Sequence, residues 1–542
     1  MILHLNHTRK ESAAASASEV VATILALLEE KHLQPAQFAN LQIHLDWIQY
    51  KQNFREAVTI TEGCSAEANA ADAGNTGVLN GTSATTAAAP MEIRIDSRQV
   101  APGALRDSLQ AAIASATAAA ATTATTASAG IAEISSSATA AAGAVTIAAA
   151  GPGASAALAC PDRGSASRIY LEDFRSFRSS IGWDFNRLYW QRLKDWEAAT
   201  GKPYEAALPG GKSDGHQPEA IADSVREFWN LLKDLDARNQ LPAEVFALEI
   251  GVGMGTRTDL WLKDFRELDR QHGTSYYPRL RFLMGDYSLS TLDRSRPAVK
   301  EHLDLCSFIA LDALDPTKTL SFLRHKILYI HSTNVYDNLP DEELVWRDGR
   351  IYWVHVRAYL PVAGAARIGA ACAVPVADIP KIVKRLLEVG PECLPEKSTG
   401  MLFWQEIWKA IRMEERLVNA LDLPDLSFPA GLSLPQMEDI LKNAPGDLRF
   451  HLSSGALESF RNTLPLLHPR GYLQVQDIFV TSLEDYTMGF HGPGKLDGSI
   501  VSWVNGVLLR EVAERAGYDL HFVPYRYRAG SKTSILYTTR RE

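Results

Sequence analysis

The chain has 542 residues, enough for two or three domains with a core of ordinary size. Its formal net charge of −9 argues against a generic polyanion binder, because neutralising phosphates needs a basic surface, and leaves room only for a local basic patch. Its five cysteines form no CxxC or other metal-ligand spacing, so they are expected as reduced thiols with no metal site.

In chain order, the first feature is the apolar run VVATILALL, closed by Glu-Glu-Lys with no small-residue cleavage site after it. It predicts an amphipathic helix rather than a signal peptide, and residues 1–62 are expected as a small helical element. No apolar run elsewhere reaches about 18 residues, the length needed for a spanning helix. The expectation is an intracellular, cytoplasmic protein with no membrane segment, a mitochondrial transit peptide being the alternative. Residues 63–165 collapse into Ala, Ser, Thr and Gly, as in AAIASATAAAATTATTASAG. A methyl group buries too little area to offset the entropy of ordering the backbone, so this stretch is expected as a disordered insertion.

Residues 166–240 are expected as a helical lid. Phe174, Phe177, Trp183, Phe185, Leu188, Tyr189, Leu193 and Trp196 recur at helical spacing, and PEAIADSVREFWNLLKDLDAR places Pro218 in a helix first turn. From 241 onward short apolar runs alternate with helices: VFALEI, RLRFLMGD, SFIALDAL, KILYIHST, GYLQVQDIFV, DLHFVPYRY and TSILYTTRR. That rhythm predicts an α/β fold, a mostly parallel Rossmann-like sheet with helices on both faces, built from 241–340 and 447–542. The interval 341–446 breaks the rhythm and is expected as an inserted cap. It holds a hairpin turning at Asp348-Gly349, a helix IPKIVKRLLEVG and a Trp-rich helix MLFWQEIWKAIRMEERL carrying Trp404 and Trp408.

The chemistry concentrates in FALEIGVGMGTRTDLWLKDF, a strand, a glycine loop and a helix. Gly251, Gly253 and Gly255 let the backbone turn tightly and approach a ligand with no Cβ in the way. A dinucleotide fold wants G-x-G-x-x-G, and the third glycine of that pattern would fall on Thr256. Downstream, one strand ends in Asp286 beside Tyr287 and the next in Asp312 followed by Ala313. A carboxylate at the end of the second strand can accept both hydroxyls of a ribose.

The E-x-G-x-G-x-G spacing from Glu249 resembles that of Rossmann-like methyltransferases, whose cofactor is S-adenosylmethionine (SAM). The resemblance implies that Glu249, Gly251, Gly253, Gly255, Thr256, Asp286, Tyr287, Asp312, Ala313 and His331 hold the cofactor, Asp312 facing the adenine amino group. The C-terminal GYDLHFVPYRYRAGSKTSILYTTRR is expected as the reversed terminal hairpin of such a sheet. A nicotinamide enzyme, the competing reading, would have a parallel crossover there.

HSTNVYDNLPDEELVWRDGRIYWVHVRAYL resembles, more narrowly, the N-E-x-x-D-A-L-P segment and following hairpin of the MidA-like methyltransferases, the family of the mitochondrial complex I assembly arginine methyltransferase. GFHGPGKLDGSIVSWVNGVLLREVAERAGYDL resembles that family's P-G-x-x-D-I-T-x-H-V-x-F stretch. Asp337, Leu339 and Pro340 fit the pattern, while Thr333 and Asn334 replace its Asn-Glu pair. The resemblance implies methyl transfer to a protein side chain, arginine being one candidate, with Asn334, Tyr336 and Asp337 as catalytic candidates. An amide orients a polar acceptor but is no general base near neutral pH, so a small-molecule O- or N-methyltransferase and a SAM-binding, catalytically degenerate assembly factor stand as alternatives. Asp337 has a second reading as a helix cap, His331 as a packed residue, and Asp214 and His216 as plain loop residues. The basic ends RYRAGSK and TTRRE are read as solvated, with no strong nucleic-acid signal.

Overall fold

The computed structural model describes residues 168–541, apart from 209–210, 424–425, 445 and 487–492, together with the segments 2–5, 41–46, 52–54, 58–64 and 91–96. Among the described residues, three α-helices precede the main sheet: α1 (Ile181–Gln191), α2 (Leu193–Thr200) and α3 (Pro218–Ala237). Ser180 opens α1 by accepting from Gly182 N, and α2 stops at Gly201, whose φ of 68° is left-handed. These helices divide between two cores. α1 and α2 bury Trp183, Phe185, Tyr189 and Trp196 with the inserted segment, whereas α3 buries Ile221, Val225, Phe228 and Leu232 on the main sheet.

The main sheet comprises β1 (Val245–Ile250), β2 (Leu280–Asp286), β3 (Cys306–Ala310), β4 (Ile327–Thr333), β5 (Leu467–Asp477), β6 (Tyr518–Pro524) and β7 (Ser534–Arg540). Their spatial order is β3-β2-β1-β4-β5-β7-β6. The first five are parallel, and β7 runs antiparallel to both β5 and β6. β1 and β4 are almost wholly buried, as strands covered on both faces must be, which is why VFALEI and ILYIHST read as near-continuous apolar runs. Helix α4 (Thr256–His272) leaves β1 on one face. The chain moves outward from β1 through β2 to β3, then returns to place β4 on the other side of β1. That reversal makes the carboxyl ends of β1 and β4 the switch point at which open α/β sheets bind ligands.

Between β4 and β5 the chain builds a second sheet. Glu343–Arg347 and Arg350–Pro361 form the expected hairpin, with Asp348 at φ 50° and Gly349 at φ 70°, both left-handed as a two-residue turn of this twist requires. Helices α5 (Val362–Cys372), α6 (Ile379–Val389) and α7 (Lys397–Ala410) follow. The Trp-rich helix is shorter than expected. It ends at Ala410, and Arg412–Asn419 is a strand paired with Arg350–Pro361. Met413, Glu415 and Leu417 are buried while Arg412, Glu414 and Arg416 are only half-buried, so a period of two overrides the helical propensity of RMEERL. Leu448–His451 joins the same sheet, which therefore continues past position 446.

The N-terminal expectation needs correction. Leu41–Asp46 and Val58–Cys64 lie within or across the segment read as helical, and Met91–Asp96 lies within the Ala/Ser/Thr-rich stretch, yet all three are strands of the second sheet. Alternation in LQIHLD, VTITEGC and MEIRID is the strand signal, and pairing with Arg412–Asn419 gives it a template. The run VVATILALL and the rest of 63–165 lie outside the described residues. Among the described residues no single helix is long and apolar enough to cross a membrane.

Candidate functional site

The loop after β1 has all three glycines in the left-handed region: Gly251 at φ 78°, Gly253 at 53° and Gly255 at 75°. Gly251 N donates to Gly285 O at 2.8 Å, which ties the loop to the end of β2. Gly253 N donates to Asp286 Oδ2 at 3.3 Å, and Ser288 N to Asp286 Oδ1 at 2.9 Å. A Cβ on Gly253 would meet nothing within 4 Å, so this residue borders open space above the sheet. α4 starts at Thr256, which is exposed, and no side chain caps its first amides. Burial raises the Asp286 carboxyl to about 6, the N–H groups of Ser288, Gly253 and Tyr287 offsetting only part of the effect.

Other predicted cofactor residues distribute unevenly around this loop. Tyr287 is exposed beside it and accepts from Gln191 Nε2 of the lid at 2.9 Å. Asp312 is exposed at the end of β3, its Oδ1 receiving Leu314 N at 2.9 Å, and Ala313 is half-buried against the core. Glu249 lies beneath the loop, where its Oε2 takes Arg257 Nη1 at 3.1 Å and Thr258 Oγ1 at 2.8 Å. It anchors the start of α4 and does not reach the open side. His331 is fully buried, with Nδ1 2.9 Å from Gln474 Oε1 and Nε2 2.8 Å from Thr333 Oγ1. It takes the packed role: side chains alternate along β4, and position 331 points into the helix-covered face.

The catalytic candidates separate in the same way. Asn334 is half-buried at the end of β4, at φ 53°, with its N–H on Gln476 O at 3.0 Å. Asp337 is not a helix cap, since Tyr336–Asn338 is a single 3-10 turn followed by strand. Its Oδ1 accepts from Asn338 Nδ2 at 2.7 Å. Burial, and then the Asp477 carboxylate, drives its pKa well above the usual carboxylate range, which favours the protonated form. Tyr336 packs into the hydrophobic core and does not line the cleft.

Sequence reasoning missed side chains that α1, α2 and the loop after them contribute near the glycine loop. The Tyr204 ring meets Trp190 edge-on at 5.5 Å, and the charges of Glu205, Asp286, Asp337 and Glu197 act on its hydroxyl. Burial and those carboxylates raise its pKa. Arg294 Nη1 holds Glu197 Oε2 at 2.8 Å, and Asn186 Nδ2 donates to Asn338 O at 2.8 Å. Asp214 is buried and built in: Oδ2 accepts from Ser531 Oγ and Thr533 Oγ1, each at 2.7 Å, and from Arg528 Nη2 at 3.1 Å. It bolts the lid loop to the turn between β6 and β7. Nothing in KPYEAALPGGKSDGH signals these contacts, which join residues more than 300 positions apart.

No family model matches the chain, and no curated protein matches it. Among solved structures it is similar to a COG1565 superfamily member from Burkholderia thailandensis bound to S-adenosyl-homocysteine, at 13% identity and TM-score 0.37 over 61% of this chain and 78% of that one. A second COG1565 superfamily protein from Burkholderia thailandensis gives 12% identity and TM-score 0.37 over 68% and 87% of the two chains. The CurJ carbon methyltransferase gives 12% identity and TM-score 0.25 over 57% and 52%.

Proposed function

We propose that this protein is a SAM-dependent methyltransferase whose acceptor enters beneath the α1–α2 lid and carries positive charge, as an arginine or lysine side chain does. The observation that carries the class is the pairing of a three-glycine loop with a sheet whose last strand, β7, inserts antiparallel between β5 and β6. A nicotinamide fold calls for the G-x-G-x-x-G loop and a parallel crossover instead.

The residues present fit this cofactor. Gly253 borders space that any Cβ would enter, and Asp286 is a raised carboxyl to which no cation is bonded among the described residues, leaving acceptor capacity for ribose hydroxyls. When bound, SAM supplies an electrophilic methyl group on a sulfonium. The chain's part is to hold the nucleoside, orient the acceptor and exclude water. Asp286 and Glu205, whose charges act on the Tyr204 hydroxyl, favour a cationic acceptor, while Glu197 is already paired with Arg294. A second reading, SAM binding without transfer, is favoured by one observation: Asn334 stands where the resembling family has glutamate.

Calorimetric titration with SAM and with NADH, followed by tritiated methyl transfer to an arginine-rich peptide, tests the proposal. Micromolar SAM binding, silence toward NADH and labelled peptide are expected. Binding without label supports the non-catalytic reading, and silence toward SAM removes both.

A further inference from the structure

A chain of buried polar side chains runs along the α3–α4 face of the sheet, and chemistry fixes the direction of the hydrogen bonds that lead from it to the end of β4. Arg257 Nη2 lies 2.8 Å from Tyr329 Oη, and a guanidinium only donates, so Tyr329 accepts there. Tyr329 Oη also lies 3.0 Å from Gln474 Oε1 and 2.7 Å from Ser224 Oγ, while Tyr537 Oη spends its one hydrogen on the Glu227 carboxylate at 3.2 Å and so accepts from Gln474 Nε2 at 3.0 Å, which assigns the orientation of the amide. Gln474 Oε1 is an acceptor only, so the His331 nitrogen 2.9 Å from it, Nδ1, carries the hydrogen. Burial and then the Arg257 charge hold the His331 pKa well below its ordinary value, so the ring is neutral and Nε2 keeps a lone pair. Thr333 Oγ1, 2.8 Å from Nε2, must therefore donate its only hydrogen to the ring.

The consequence lies at the rim. Thr333 ends β4 and is half-buried. Ser332 is in register with Ile250, so Thr333 stands level with Gly251, on the side of the glycine loop opposite Asp286. A Cβ on Gly215 would come within 3.1 Å of its hydroxyl oxygen, so the lid backbone crosses directly above it. With its hydrogen committed inward, this oxygen offers only lone pairs to whatever enters.

We infer that Thr333 is a positioning residue that accepts a hydrogen bond from the N–H of a nitrogen nucleophile, selecting amine or guanidine acceptors over hydrogen-free ones and orienting the attacking lone pair. The inference rests on the methyl-transfer proposal and narrows it to acceptors whose nucleophilic atom carries a hydrogen, the amine or guanidine of that proposal among them. It explains how a chain with Thr333-Asn334 in place of Asn-Glu still orients an acceptor without a charged base.

Sinefungin, which bears an amine where SAM bears its methyl group, is the probe, and S-adenosyl-homocysteine, which has nothing there, is the control. In calorimetry on the full chain, Thr333→Val should lose sinefungin affinity by about tenfold or more while homocysteine-nucleoside affinity moves by no more than about twofold, and Thr333→Ser should match the native chain. Parallel loss of both ligands, or loss of neither, overturns the role of Thr333 and leaves SAM binding standing. Silence of the native chain toward both nucleosides removes the methyl-transfer proposal itself. Nitrogen-15 spectra of the His331 ring provide a ligand-free check: a protonated Nδ1 and bare Nε2 are expected, and a protonated Nε2 overturns the inference.

Discussion

Gly251 and Val335 are packed so that a Cβ built on the glycine would stand 2.5 Å from Val335 Cγ2, with Gly251 at φ 78°. Gly253, two residues on, is equally left-handed but has nothing within 4 Å of its imagined Cβ. The two substitutions should therefore separate stability from binding. Gly251→Ala combines strain with overpacking and should cost about 2–4 kcal/mol, read as a large fall in Tm. Gly253→Ala should cost about 1–2 kcal/mol of strain yet reduce SAM affinity by about tenfold or more, because its methyl group enters the ligand's space. Equal losses of stability, with equal binding, would take the loop out of the site.

The pH dependence of SAM affinity should report Asp286. Its carboxyl titrates at about 6 in the folded protein, raised from 3.8 by burial, and only the ionised form accepts two hydroxyls. Affinity should be full above pH 7 and fall as pH drops through 6, by at most about tenfold per unit. Asp286→Asn should bind about tenfold more weakly at pH 7.5 and lose that slope. The sign for stability is opposite: between the unfolded value and about 6 the folded chain holds a proton that the unfolded chain has shed, so this group's contribution is lost as pH rises through 6. A native affinity that is flat from pH 5 to 8 would exclude Asp286 from the ligand.

The lid should depend on Asp214. Its carboxylate collects Arg528, Ser531 and Thr533 from the far end of the chain, and Gly215 beside it crosses Thr333. Asp214→Ala strands these donors, and a cost of about 2–4 kcal/mol follows from leaving a partly buried charge unpaired. The sharper readout is local: hydrogen exchange across 211–217 should accelerate and SAM affinity should fall. Protection unchanged in that loop would show that other contacts seat the lid.

What the sequence revealed here follows from range. The seven strands of the main sheet, the glycine loop and Asp286 were legible because each is encoded within a few neighbouring residues: an apolar run, a left-handed turn, an acid at a strand end. The fates of His331 and Tyr336 were not, because whether a strand-end side chain faces the cleft or the core depends on register against β5 and on helices distant in the chain. RMEERL failed for a related reason, since its pairing with Arg350–Pro361 outweighed its local propensity. Tyr204, Asp214 and the chain from Arg257 to Thr333 left no local trace at all. Their roles arise only when α1–α2, the β6–β7 turn and the end of β4 converge.

Asp341 supplies a test of the buried acids around the insert. It is buried, with Oδ2 accepting from Ser502 Oγ at 2.7 Å, Oδ1 from Glu342 N at 2.6 Å, and His451 Nδ1 at 3.9 Å. Burial raises its pKa from 3.8 to about 8, more than these hydrogen bonds lower it. A group raised on folding stabilises fully below its unfolded pKa, and that stabilisation drains away as pH climbs through the folded one. Native Tm should therefore decline between pH 5 and 8.5, with Asp337 and Asp477 adding slope of the same sign, since burial raises both. Asp341→Asn keeps the shape without the charge. Its Tm should lie at or slightly below the native value at pH 5 and above it at pH 8.5, so that the two curves cross. Parallel curves would mean that Asp341 ionises in the folded state as easily as in the unfolded one, and that its burial is relieved by water or a neighbouring cation.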